Sequence, residues 1–150
     1  MNVPHFQQEL DYSCLAACVR MVLAFYSNTH TESELRGLLK TRPSGTSPAN
    51  VLFRLPSLGF NAEFPDASLS YLRDQVEAGH PCIVHVWTLP LPHWKDEAIH
   101  SLVICDVTQE FVVVNDPALS SGSTAIPREA FVRAWAATGY VTLVITPADQ

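Results

Sequence analysis

Cys14 heads the segment Cys14 to Tyr26, CLAACVRMVLAFY, which is apolar on nearly every side and carries Arg20 as its only charge. That pattern predicts a helix buried inside the domain, with the cysteine in its first turn. A thiol attacks as its thiolate, and a helix N-terminus together with a neighbouring imidazolium lowers a cysteine pKa to about 3.5 to 7.5. Position alone gives Cys14 the first of these. His100 is the candidate for the second, with Asp116 as the carboxylate that fixes its ring tautomer. The tetrahedral intermediate of acyl transfer also needs fixed donors for its oxyanion. Gln8, six residues before Cys14, offers an amide, and the backbone N–H of Cys14 at the helix start offers the other donor.

These residues need elements that bring them together. His100 opens a predicted strand, Ser101 to Val107, and Asp116 follows another, Phe111 to Asn115. The turn Thr108-Gln109-Glu110 joins the two as a hairpin, so His100 and Asp116 fall at the same sheet edge. Cys82 to Trp87 and Tyr140 to Ile145 are β-branched and aromatic runs of strand length, and Phe60 to Phe64 is a shorter candidate. Before them the chain is mainly helical. Thr31-Glu32-Ser33-Glu34 is a capping box that opens a helix to about Lys40. Ser47-Pro48 starts another, to about Leu55, with Gly59 closing the unit. Leu69, Leu72 and Val76 mark a fourth helix ending at Gly79, and Pro127 to Trp135 a fifth. Helices first and sheet second make an α+β fold, with a helical N-terminal part whose buried nucleophile helix packs on an antiparallel sheet. No repeat or linker divides the chain, and residues 1–150 are expected to form one domain.

Gln8, the run Cys14-x-Ala-Ala-Cys18-x-x-Met21-Val22-Leu23-Ala24-x-Tyr26, His100 and Asn115-Asp116-Pro117-Ala118 together resemble the bacteriocin-processing, double-glycine leader peptidases, cysteine peptidase family thirty-nine. The resemblance runs from Gln8 to about Ile145. It implies a papain-like fold and a thiolate–imidazolium mechanism, with Gln8, Cys14, His100 and Asp116 matching the oxyanion glutamine, nucleophile, base and orienting acid. Members of the family often carry membrane and ATP-binding parts and remove a leader after Gly-Gly. Beside the chemistry this chain has Ser13, Leu15, Ile99 and Ser101 where the family more often has an acid, a glycine, a small and an aromatic residue. The Gly-Gly specificity is therefore not carried over.

Other assignments compete with these. His85, on a predicted strand, and His93, in the proline-rich loop Leu89 to Trp94, are rival bases. Asp106 is a rival acid, and Asp11 a loop or N-cap residue. The Leu89 to Trp94 loop suits either a lid over the cleft or a rigid crossover. Cys18, Cys82 and Cys105 read as small core residues. The six histidines and four cysteines contain no Cys-x-x-Cys and no His-Glu-x-x-His, so neither a metal nor a cofactor is expected.

A net charge of −6 with nine scattered Lys and Arg argues against nucleic acid or anionic membrane as partner. No apolar run reaches the roughly 20 residues of a membrane span, and no secretory signal is recognisable. The chain is expected to be soluble and cytoplasmic, with its thiols reduced. Three functions fit the residues. The first is a stand-alone cysteine endopeptidase that cleaves a peptide or partner protein through a Cys14 thioacyl-enzyme. The others are an acyltransferase or amidase acting on a small molecule, and a catalytically silent peptide-binding module.

Overall fold

A computed structural model describes residues 1–149. Helix α1 spans Cys14–Phe25 and buries Leu15 to Val19 and Met21 to Leu23, as its all-round apolar surface requires. Arg20 is the exception. Its Nε donates to His30 O at 3.0 Å, and its guanidinium lies 3.9 Å above the centre of the Phe6 ring, so the charge rests against an aromatic face. Helix α2, Glu32–Leu38, starts where the capping box places it, with Thr31 Oγ1 accepting from Glu34 N at 3.1 Å. Helix α3 spans Pro48–Arg54, and its N-cap Ser47 makes no side-chain bond. Pro56 lacks the N–H that would continue it, so the chain tightens into a 3-10 turn, Leu55–Leu58. Gly59 then ends the unit with φ +85°.

The second half builds one antiparallel sheet of six strands: β1 Phe60–Glu63, β2 Cys82–Trp87, β3 Ile99–Val107, β4 Phe111–Asn115, β5 Thr124–Pro127 and β6 Thr142–Pro147. They are ordered β1-β6-β2-β3-β4-β5. Alternate residues serve opposite faces. Ile83, Val103, Leu143 and Ile145 pack against α1. Val84, Leu102, Ile104 and Val114 pack on the other side against Leu72, Phe131 and Trp135, which belong to α4, Leu69–Glu77, and α5, Arg128–Ala136. The central strands β2 and β3 are thus covered on both faces, which explains their nearly continuous apolar sequence.

The strands depart from the sequence reading chiefly in where β3 and β6 begin and in one additional strand. β3 begins at Ile99, because Ile99 already pairs with Trp87. β6 begins at Thr142, because Tyr140 has φ 63° and Gly139 φ 78°, a left-handed turn that no strand can include. β5 is an edge strand absent from that reading. It buries only Ile126, too little to leave a period-two pattern.

The hairpin between β3 and β4 closes as expected, with Thr108 N donating to Phe111 O at 2.8 Å and Phe111 N to Thr108 Oγ1 at 2.9 Å. Its register pairs Val103 with Asn115 and shifts between Ile104 and Asp106. Asn115 then anchors the N-terminal arm. Its Nδ2 donates to Val3 O at 2.9 Å, while its Oδ1 accepts from Ser123 N at 3.0 Å. Further along the arm, His5 Nε2 donates to Leu119 O and Gln8 N to Pro117 O, both at 2.7 Å. Gly122 leaves room for this crossing: a Cβ there would stand 2.6 Å from Asn115 Oδ1 and 2.9 Å from His5 Cβ. Gly122→Ala is therefore expected to destabilise the fold by about 1–3 kcal/mol, read as a lower urea midpoint at unchanged slope.

Candidate active site

The first turn of α1 meets the start of β3, and there the polar residues collect. Cys14 is the partly exposed thiol of the four; Cys18, Cys82 and Cys105 are buried. His100 lies beside the Cys14 thiol, and each group shifts the pKa of the other. Ser101 Oγ lies 3.7 Å from Cys14 Sγ. On its other side His100 meets Asp116, Nε2 to Oδ1 at 2.7 Å, so the ring bridges sulfur and carboxylate.

Asp116 is fully buried and surrounded by donors. Oδ1 also accepts from Ala118 N at 2.9 Å. Oδ2 pairs with His93 Nε2 at 2.7 Å and accepts from Trp94 Nε1 at 2.8 Å. Burial alone would raise its pKa, but the hydrogen bonds from His100 and His93 and the charge of His100 hold it well below the usual carboxylate range. In His100, burial favours the neutral ring, yet Asp116 and Cys14 outweigh it and raise the pKa to about 9. Burial likewise pushes the Cys14 thiol up, and the hydrogen bond and charge of His100, with help from Ser101, bring it below its ordinary value. The other three thiols shift the opposite way under burial, Cys82 to about 12 and Cys105 to about 11. The environment therefore singles out Cys14 as a thiolate paired with an imidazolium.

Gln8 lies on the same cleft, a cavity of about 420 Å³ lined also by Cys14, His85, Trp94, His100 and Ser101. One N–H of its amide donates to Leu10 O at 2.7 Å, and its Oε1 is buried without a partner among the described residues. The second amide N–H is the donor left for a ligand.

The structure thus gathers Gln8, Cys14, His100 and Asp116 into one place. The rival residues go elsewhere or serve differently. His93 touches the far oxygen of Asp116, not the thiol. His85 pairs with Ser101 across β2 and β3 and faces the cleft; burial, then the charge of His100, lowers its pKa and keeps it neutral. Asp106 is exposed and accepts from the adjacent Val107 N at 2.8 Å. Asp11 lies at the cleft mouth, and Ser13 takes the N-cap position of α1. The Leu89 to Trp94 loop is fixed at both ends. Thr88 Oγ1 donates to Asp96 O at 2.6 Å and accepts from Ala98 N at 2.9 Å, and His93 and Trp94 hold Asp116. It is a crossover that supports the site. The Trp94 ring also covers His100, centroid to centroid 4.7 Å.

Ser101, His93 and Trp94 as partners of the site were missed from the sequence. Ser101 is adjacent to His100, but adjacent strand residues ordinarily face opposite ways. His93 and Trp94 reach Asp116 through a loop path that no periodicity encodes.

Comparison with known proteins identifies the family and the fold. Residues 2–150 match the peptidase C39 family. The chain belongs to that family. It is 27% identical over 137 residues to the pediocin PA-1 transport/processing ATP-binding protein PedD of Pediococcus acidilactici, a match that covers 91% of this chain and 18% of that protein. The chain thus spans about a fifth of the length of that relative. A solved double glycine motif protease from an AMS/PCAT transporter, in complex with its leader peptide, superposes with a TM-score of 0.76 at 26% identity, over 97% of this chain and 92% of the other. The peptidase domain of Streptococcus ComA, a bi-functional ABC transporter of a quorum sensing pathway, has the same fold, with a TM-score of 0.80 at 23% identity over 97% and 99% of the two chains. The papain-like α+β architecture is thereby established for this chain. No helix among the described residues is long and apolar enough to cross a membrane.

The shifted pKa values set a pH dependence. The thiolate–imidazolium pair exists above the lowered pKa of Cys14 and below that of His100, about 9. Alkylation of Cys14 by iodoacetamide is expected to rise with pH through a midpoint below the free-thiol value of about 8.5. The other three thiols should react far more slowly. In Asp116→Asn the imidazolium loses its counter-charge, so the Cys14 midpoint should move up by about one pH unit or more. Mass spectrometry of the labelled peptides at each pH reads both.

Proposed function

We propose that this chain is a cysteine endopeptidase that cleaves a peptide or partner protein through a Cys14 thioacyl-enzyme. The observation that carries this reading is the continuous line from the buried Asp116 through His100 to the one thiol whose pKa is lowered. The Cys14 thiolate attacks the scissile carbonyl carbon, the C–S bond forms, and the carbonyl oxygen becomes an oxyanion. The second N–H of Gln8 and the Cys14 backbone N–H, unpaired within the helix, receive that charge. His100 then donates its proton to the leaving nitrogen as the C–N bond breaks. It next takes a proton from water, whose hydroxyl releases the acyl group and restores the thiolate. Asp116 keeps the ring oriented through both transfers.

A peptide is the substrate class this reading favours, with double-glycine leaders as the first sequences to test. The relative solved with a leader peptide bound is a double glycine motif protease, and its fold extends over nearly the whole of this chain. Every group the reaction uses lies between Gln8 and Asp116, so residues 1–150 are read as one papain-like peptidase domain that cleaves on its own. The chemistry needs Cys14 as a free thiol, which suits a reducing compartment such as the cytoplasm.

The test uses the purified chain with synthetic double-glycine leader peptides, followed by mass spectrometry. Cys14→Ala should lower turnover by at least about 10³-fold while the circular dichroism spectrum stays as in the wild type. Gln8→Ala should lower kcat by about 10²-fold with little change in KM. Cleavage by Cys14→Ala at the wild-type rate would refute the reading.

A further inference from the structure

Glu32 is a fully buried carboxylate that the reaction scheme leaves without a task. Ionised groups are seldom buried unless matched, because removal from water costs several kcal/mol per ion. Its partners are all on the segment that carries the oxyanion donors or on the helix beside it. Oε1 accepts from Glu9 N at 3.0 Å and from Ser13 Oγ at 3.1 Å. Oε2 stands 3.0 Å from Arg36 Nε, an ion pair off the hydrogen-bond line, and Arg36 Nη2 donates to Glu9 Oε1 at 3.0 Å. Glu9 follows Gln8, and Ser13 precedes Cys14. A single oxygen therefore closes the turn between the two proposed oxyanion donors.

The link reaches the Gln8 side chain itself. Ser13 Oγ faces two acceptors, Glu32 Oε1 and Leu10 O at 3.0 Å, and accepts from Leu10 N at 3.0 Å. A hydroxyl has one hydrogen, and the charged carboxylate is the stronger acceptor. With Ser13 Oγ turned toward Glu32, Leu10 O accepts from Ser13 N at 3.2 Å and from the Gln8 amide at 2.7 Å, the bond that orients its second N–H, so the turn and the Gln8 side chain share one carbonyl. An exposed ion pair between Glu32 and Arg36 would need neither the burial nor the Ser13 contact.

We propose that Glu32 is a positioning residue of this active site, holding the Glu9 to Ser13 turn so that the Gln8 amide and the Cys14 N–H converge on one oxyanion. The proposal rests on the peptidase reading above. It separates two reactions of the same thiol. Alkylation by iodoacetamide displaces iodide and creates no oxyanion. Addition of acetyl-Gly-Gly-aldehyde forms a C–S bond, opens the C=O bond, and places negative charge on the oxygen until it takes the imidazolium proton.

The experiment compares wild type, Glu32→Ala, Glu32→Gln and Ser13→Ala. It measures the alkylation rate of Cys14, the aldehyde affinity from protection against alkylation, and kcat and KM on the leader peptide. Glu32→Ala should weaken aldehyde binding and lower kcat by at least about 30-fold, with KM and alkylation within about threefold of wild type. Glu32→Gln keeps an acceptor oxygen and should recover to within about fivefold. Ser13→Ala should repeat the split in smaller measure, and it decides the matter if Glu32→Ala does not fold. Wild-type aldehyde affinity and kcat in Glu32→Ala, or in Ser13→Ala where Glu32→Ala does not fold, would overturn the proposal. So would alkylation falling as far as aldehyde binding, or Glu32→Gln being as impaired as Glu32→Ala. A wild-type chain that neither cleaves peptide nor binds the aldehyde overturns the peptidase reading together with this one, whereas an active wild type with an unaffected Glu32→Ala removes this one alone.

Discussion

The site depends on keeping one carboxylate charged where water cannot reach it. Asp116 is fully buried, and an isolated carboxylate there would take up a proton. Four donors prevent this: the rings of His100, His93 and Trp94, and the Ala118 N–H. They come from three structural features: a central strand for His100, adjacent positions of a pinned loop for His93 and Trp94, and the turn that follows β4 for Ala118. The fold's topology is the means by which these converge. Without the charge on Asp116, the imidazolium of His100 and hence the thiolate of Cys14 would lose their support.

The segment around Asp116 also ties the chain together at longer range. The end of β4 and the β4–β5 connection that carries Asp116 receive the N-terminal arm, through Asn115 to Val3, Leu119 to His5 and Pro117 to Gln8. Gln8 is thus fixed by its backbone to the segment holding the orienting acid. Its side chain is fixed by Leu10 in the turn before the nucleophile. The two halves, helical and sheet, meet along this seam. Cys14 is offered by one and His100 by the other, with the buried face of α1 locked onto the sheet through Val103, Leu143 and Ile145.

Much of this arrangement was legible from the residues alone, and the reason differs by element. The buried helix after Cys14 is apolar on nearly every face, and the hairpin is forced by a short turn between two β-branched runs, so their geometry follows from local pattern. That hairpin is enough to place His100 near Asp116. What stayed hidden depends on paths rather than periods. The left-handed backbone at Gly139 and Tyr140 delays β6, and β5, which follows a run of serines and a glycine, has Ile126 as its single buried residue. His93 read as a rival base because nothing in a proline-rich loop tells which way an imidazole turns. It stands instead on the second oxygen of the acid. Ser101 read as a strand residue, although its hydroxyl approaches the sulfur. Glu32 read only as part of a capping box, and its burial beneath the nucleophile turn is a tertiary fact.

The central claim is that His100 is an imidazolium held between a carboxylate and a thiolate at neutral pH. Titration of its ring resonances by NMR, with the imidazole isotopically labelled, tests that most directly. The account predicts a midpoint near 9. A midpoint at or below the ordinary 6.5 would contradict it.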